Sequence, residues 1–288
     1  MSQMQKVKEN HFNGKSGIRS ITMVKAAFNL THIPFSKDIS CKNLFMHEQF
    51  NEMTKRMKKL IEDKGIGLFT GEVGCGKSTA VRTTIESLSN QTHRVVYLYR
   101  GIDNVGAFYT QIADGLGIMP RYRKTDVATQ VTHAIAEFYT QQKILVVLII
   151  DEAHLLKTEV LDEIRLLHNA QYDSYDYLST ALIGQTPLKK TMEYTKFMPL
   201  KQRISFQYHL NALSREESYQ YFKHQLAIVK AKENIFMDNA IETIIGAAKG
   251  VPRMINNLAL KALKNAADNK MTVVDQECVV NVLKDMGI

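Results

Sequence analysis

The chain has 288 residues, 45% of them hydrophobic, enough for one sizeable α/β domain and a smaller companion. The longest unbroken aliphatic run, residues 144–150, falls far short of the roughly 20 residues a membrane span needs. The basic N-terminus has no apolar leader stretch, and three scattered cysteines (Cys41, Cys75, Cys278) exclude a disulfide framework and a zinc-finger spacing, so a cytoplasmic protein without membrane association is expected.

The net charge is +8, and residues 1–60 hold 11 Lys/Arg against 4 Asp/Glu, so nearly all the excess sits there. Residues 1–24 show no sustained period and read as a flexible basic arm. Such an arm suits an acidic partner such as nucleic acid, or equally a solvated tail. Residues 26–38, with Pro34, look extended. From His47, the positions Phe50, Met53, Met57, Leu60 and Ile61 follow helical spacing, and Gly65 closes that helix. Lys55, Arg56, Lys58 and Lys59 lie on its other face.

Strands are expected at 66–70, 95–99, 144–150, 178–184 and 204–208. Helices are expected between them, at about 77–89, 105–116, 127–141 and 155–169. This alternation predicts an α/β fold: a parallel five-stranded sheet flanked by helices. After His209 the pattern turns helical. Ser214 and Glu217 form a capping box, Gly250 stops a helix that begins near Asp238, and Pro252 opens the next. A last helix is expected over 274–285. The expected domains are the arm (1–24), an α/β nucleotide-binding domain (25–210) and a small helical lid (211–288).

The chemistry concentrates where strands end. Gly71-Glu72-Val73-Gly74-Cys75-Gly76-Lys77-Ser78, with Thr79 beyond it, follows the first strand and opens a helix. Its glycines let successive backbone N–H groups point at phosphate oxygens, Lys77 reaches the β- and γ-phosphates of ATP, and the Ser78 hydroxyl ligates Mg²⁺. Asp151 and Glu152 end the aliphatic strand. There Asp151 can hold Mg²⁺ through water and Glu152 can polarise an attacking water. Gln185 follows the fourth strand, within reach of the γ-phosphate or that water. Arg203 precedes the fifth strand, where it could act on a neighbouring subunit's nucleotide. Arg253 starts a helix of the lid. Taken alone, the last three read also as turn or surface residues. His154 reads as a packing or hydrogen-bonding residue rather than a catalyst. The loop Arg121-Tyr122-Arg123-Lys124-Thr125 pairs charge with an aromatic ring. It suits phosphate contacts without sequence readout, or is simply an exposed basic loop.

With these residues in order, the chain resembles the AAA+ ATPases. More narrowly it resembles the ExeA-like, secretion-pathway branch and the transposition ATPases of the TnsC and MuB kind. The carrying segments are Asn29-Leu30-Thr31-His32-Ile33-Pro34-Phe35-Ser36, the phosphate loop, Ile149-Ile150-Asp151-Glu152-Ala153-His154, Leu182-Ile183-Gly184-Gln185 and Gln202-Arg203-Ile204. The resemblance implies Walker A and B roles for Lys77, Ser78, Asp151 and Glu152. It puts Gln185 at sensor 1, Arg203 at the trans-acting arginine and Arg253 at sensor 2, and sets Pro34 and Phe35 beside the adenine. Transposition ATPases assemble on duplex DNA as rings or helical filaments and recruit a transposase, sometimes with target-selection proteins. Tyr122, Arg123, Lys124 and Thr125 fall where they track the DNA backbone. Secretion-type members continue into a membrane segment and a peptidoglycan-binding domain. The sequence stops at the lid, which favours the DNA-associated expectation over a secretion ATPase or a helicase loader.

Overall fold

The structure, a computed structural model, describes residues 15–36, 39–99, 101–121, 123–168, 177–231 and 233–288. It divides into two compact units, Met46–Asn211 and the described part of Met1–Phe45 together with Ala212–Ile288. Elements run in the order α1 (Lys15–Phe28), α2 (Glu48–Asp63), β1 (Ile66–Gly71), α3 (Lys77–Glu86), β2 (His93–Leu98), α4 (Val105–Leu116), α5 (Lys124–Thr140), β3 (Leu145–Ile150), α6 (Thr158–Leu167), β4 (Leu178–Gly184), α7 (Thr186–Thr191), α8 (Met198–Arg203), β5 (Ile204–Leu210), α9 (Arg215–Ile228), α10 (Asp238–Ala248), α11 (Pro252–Asp268) and α12 (Gln276–Asp285).

In the α/β unit the strands are ordered β2-β3-β4-β1-β5, every pair parallel. Each residue of β1, β3 and β4 is buried, as a sheet covered on both faces requires. Phe50, Met53, Met57, Leu60 and Ile61 form the buried stripe of α2. That helix ends on Lys64 in the left-handed conformation, one residue before the expected Gly65. Gly65 serves close packing instead, since a Cβ there would stand 2.4 Å from the Ser205 hydroxyl oxygen. The helix expected over 155–169 begins later, as α6, after a 3-10 turn at Ala153–Leu155.

Two expectations about the N-terminal region are corrected. Residues 15–24 of the supposed flexible arm belong to α1, because Val24 and Phe28, one turn apart, are both buried in the helical unit's core. Residues 1–14 of that arm lie outside the described residues. The segment 25–45, expected in the nucleotide-binding domain, groups with the helical unit. Phe35 explains why. Its ring lies 4.8 Å from that of Phe222 and 6.0 Å from that of Phe236, in the same core. Pro34 is buried as well. Both side chains are committed to packing, so neither is presented to a base.

The Ser214–Glu217 capping box forms with both reciprocal bonds. Gly250 has φ +75°, and its carbonyl accepts from the Leu213 N–H at 2.8 Å. A Cβ at Gly250 would stand 2.0 Å from the Leu213 carbonyl oxygen. Gly250→Ala is therefore expected to destabilise the helical unit by more than the ~1–3 kcal/mol of left-handed strain alone, read as a lowered midpoint in denaturant unfolding.

His168, at the end of α6, is buried with its Nε2 2.8 Å from the Thr180 hydroxyl of β4. Burial, reinforced by the Arg203 charge, pushes its imidazole down to about 4. A lowered folded value means that protonation favours the unfolded chain. The contribution is complete above about pH 6.5 and is lost as pH falls toward 4, a loss of about 3 kcal/mol at the limit. Unfolding measured between pH 7.5 and 5 should show this decline, and His168→Gln should flatten it.

Candidate active site

The strand order builds the site. β4 lies between β1 and β3, so the segments leaving the carboxyl ends of β1, β4 and β3 stand side by side. β1 delivers the phosphate loop, β4 delivers Gln185, and β3 delivers Asp151 and Glu152. The loop turns through Gly74 (φ +87°) and Gly76 (φ +107°), conformations that favour glycine. Gly71 is equally constrained, because a Cβ there would lie 2.4 Å from the Leu210 carbonyl oxygen of β5. Gly76 precedes α3 with no side-chain cap, which leaves the first N–H groups of that helix for an anion.

Lys77 is buried, and its ammonium donates to the Gly71 carbonyl at 2.7 Å and the Glu72 carbonyl at 2.8 Å. Burial pushes its pKa down, and nearby acidic groups, Glu152 and Asp151 among them, oppose the shift. The Ser78 hydroxyl donates to Asp151 Oδ2 at 3.2 Å. Asp151 Oδ1 accepts the Glu152 N–H at 2.9 Å, and the Asp151 N–H continues the sheet to the Leu98 carbonyl at 2.8 Å. A hydroxyl and a carboxylate side by side form the hard oxygen set that Mg²⁺ prefers, and the glycine-lined turn with its buried ammonium suits a polyphosphate. These residues fit ATP with Mg²⁺.

Glu152 sits at φ +54°, a strained position for a non-glycine residue. Its Oε2 accepts from Gln185 Nε2 at 3.4 Å and lies 3.6 Å from His154 Nε2. Gln185, expected at the γ-phosphate or the attacking water, donates instead to Glu152. His154, expected as a packing or hydrogen-bonding residue, faces Glu152 through Nε2, while its buried Nδ1 has no hydrogen-bond partner among the described residues. Sequence reasoning missed two further contacts. The Thr186 hydroxyl donates to Glu72 Oε1 at 2.5 Å, tying the start of α7 to the phosphate loop. The Tyr97 hydroxyl donates to Asp151 Oδ2 at 2.5 Å. Within the loop Val73 is half exposed and Cys75 buried, and Thr79 lies in the first turn of α3.

Other candidates fall elsewhere. Arg203 ends α8, half-buried, with its charge acting on His168. Arg253 is exposed in the first turn of α11, in the helical unit. Arg123 is exposed at the N-cap of α5. Tyr122 and the side chains of Lys124 and Thr125 lie outside the described residues.

Residues 59–192 match the family model described as an AAA domain. The chain carries an AAA-type P-loop ATPase domain. General secretion pathway protein A of Aeromonas hydrophila is 30% identical to it over 243 residues, 82% of this chain and 43% of that protein. An HTH-type transcriptional regulator of Methanocaldococcus jannaschii is 24% identical over 200 residues, 68% of this chain and 46% of that protein. The chain spans less than half the length of these curated relatives. Among solved structures, Cdc6p of Pyrobaculum aerophilum has a TM-score of 0.70 at 14% identity, covering 87% of this chain and 70% of that one. The Aeropyrum pernix ORC1 protein in complex with DNA has a TM-score of 0.67 at 11% identity, covering 88% and 68%. At such identities these two establish the fold alone.

The geometry makes the strand-end residues separately testable. Glu152→Gln keeps the volume and removes the carboxylate, so hydrolysis should fall about 10²–10⁴-fold while nucleotide binding persists. Lys77→Ala should lose the binding itself. Phosphate release and calorimetric nucleotide titration check the pair.

Proposed function

We propose that this protein is an ATP-driven switch that assembles on duplex DNA in its ATP state and recruits or activates a transposase, hydrolysis dismantling the assembly. The observation that carries hydrolysis is the placing of Glu152, a carboxylate steadied by Gln185 and His154, next to the Ser78–Asp151 pair and the Lys77 ammonium. Ser78 and, through water, Asp151 would hold Mg²⁺, which would supply charge neutralisation at the phosphates. Lys77 orients the phosphates. Glu152 takes a proton from water as its oxygen bonds to the γ-phosphorus and the bond to the bridging oxygen breaks. Arg203, supplied to a neighbour, and Arg253, from the helical unit, complete the site in the assembled form. An arginine of that kind is worth about 10³–10⁵ in rate.

The DNA reading rests on charge. Basic residues concentrate in the first 60 positions, and Arg121 and Arg123 are exposed ahead of α5. The loop before α5 is held in shape by Gln130, which accepts from the Arg121 N–H at 3.1 Å and donates to the Met119 carbonyl at 3.0 Å. A pre-shaped basic loop suits backbone phosphates.

A second reading is favoured by the identity to general secretion pathway protein A: an ATPase module of a secretion or envelope assembly, with protein partners only. Among the described residues no helix is long and apolar enough to cross a membrane.

Anisotropy with labelled duplex DNA separates the readings. Binding should require a non-hydrolysable ATP analogue and should weaken about 10³–10⁵-fold between 50 and 200 mM salt if roughly 6–10 phosphates are contacted. Arg123→Ala should reduce the salt slope by about one phosphate. Nucleotide-independent or absent DNA binding by an active ATPase would favour the secretion reading. ATPase activity indifferent to Arg203→Ala would remove the shared site.

A further inference from the structure

One polar group outside the sequence motifs enters the metal corner of the site. Tyr97 lies on β2, in register with Ile149, two residues before Asp151 on the neighbouring chain segment. Its hydroxyl donates to Asp151 Oδ2 at 2.5 Å. The same oxygen accepts the Ser78 hydroxyl, and Oδ1 accepts the Glu152 N–H. Three donors therefore converge on one carboxylate that is only 9% exposed. The Glu152 N–H belongs to the backbone and is fixed. The Ser78 hydroxyl belongs to a group that must also turn a lone pair toward the cation. Tyr97 comes from the edge strand β2. Its ring is steadied beside that of Tyr99, with centroids 5.9 Å apart.

Carboxylate orientation matters because Mg²⁺ demands near-ideal octahedral geometry and is bound through few protein oxygens. A carboxylate or water ligand that can rotate loses that geometry. Outer partners that stop the rotation are commonly worth 10–100-fold in metal affinity. We propose that Tyr97 is a positioning residue: its hydroxyl locks the rotation of the Asp151 carboxylate and so sets the Mg²⁺ affinity of the nucleotide site. This rests on the ATP·Mg²⁺ reading of the site. β2 is paired to β3 through six backbone positions, and the ring keeps its contact with Tyr99 in the phenylalanine variant, so the hydroxyl can be removed without loss of the strand pair.

The test uses the full chain and Tyr97→Phe. A fluorescent ATP analogue is titrated with Mg²⁺, and again in excess chelator. The half-saturating Mg²⁺ concentration for nucleotide binding should rise about 10–100-fold, with binding in chelator unchanged. An unchanged Mg²⁺ midpoint overturns the proposal, and so does an equal loss with and without the metal, which would mean that Tyr97 acts on the nucleotide or the fold. A nucleotide-free measurement accompanies it. Melting temperatures of Tyr97→Phe, Asp151→Asn and the double variant should be non-additive, and additive shifts would deny the bond itself. Failure of the unaltered protein to bind nucleotide in a Mg²⁺-dependent way brings down the ATP reading and the metal role with it. The melting cycle then reports separately on whether Tyr97 holds Asp151.

Discussion

Two strand spacings separate the end of β1 from the end of β3, because β4 is inserted between them. In a sheet that is roughly 10 Å. This is a distance that the phosphate loop and the first turn of α3 span when they fold back over the strand ends. The Ser78 hydroxyl is thereby carried from β1's side to within hydrogen-bond distance of Asp151 on β3. Gln185, leaving the strand in the middle, meets Glu152 on the way. The insertion also buries β4 on both faces and on both edges. That accounts for its unbroken run of buried residues, including Ser179 and Thr180, whose hydroxyls find the Leu60 carbonyl and the His168 ring.

The electrostatics follow from that placement. Burying an ammonium at the mouth of an apolar sheet is costly unless acceptors are supplied. Lys77 receives two backbone carbonyls from the loop that it terminates. The same burial that lowers its pKa strengthens its attraction for phosphate, since fewer waters screen the charge. Asp151 and Glu152 face the opposite problem, that of keeping two adjacent carboxylates apart. The left-handed backbone at Glu152 divides them. Asp151 turns to Ser78, Tyr97 and the Glu152 N–H, whereas Glu152 turns to Gln185 and His154. One carboxylate is fixed by three donors, and the other is held by two longer contacts.

Much of this was legible in the residues. The five strands, the loop and the acidic pair follow from buried aliphatic runs with turn residues between them, and those signals are local. The position of Gln185 after a strand placed it at the sheet's carboxyl end, but not its contact with Glu152. The two six-residue helices α7 and α8 were not legible, because each spans under two turns and shows no period. Their only markers are Pro187 and Pro199 near their starts. Tyr97 was not legible either. On an edge strand a tyrosine at alternate spacing reads as ordinary β-sheet surface, and only the pairing of β2 with β3 brings its hydroxyl to Asp151. For His154 the residue type allowed packing or hydrogen bonding, but a histidine beside a strand end gives no sign of which of its nitrogens meets a carboxylate.

The segment from Asn29 to Ser36 carried part of the family resemblance and with it the expectation of an adenine pocket. Its aromatic residue instead joins the cluster of Phe35, Phe222 and Phe236. Three mutually packed rings, drawn from positions nearly two hundred residues apart, bind the beginning of the described chain to the helical unit. Rings in such arrangements contribute about 0.5–1.5 kcal/mol per pair beyond the area they bury, so this junction is not one that opens under small forces. The packing of α1 on the same core through Val24 and Phe28 extends it. α1 and the segment up to Phe45 therefore belong to the same body as the helices after Ala212. The basic excess of the first 60 residues is divided accordingly: Lys25 and Lys42 belong to the helical unit, whereas Lys55, Arg56, Lys58 and Lys59 lie on α2 with the sheet.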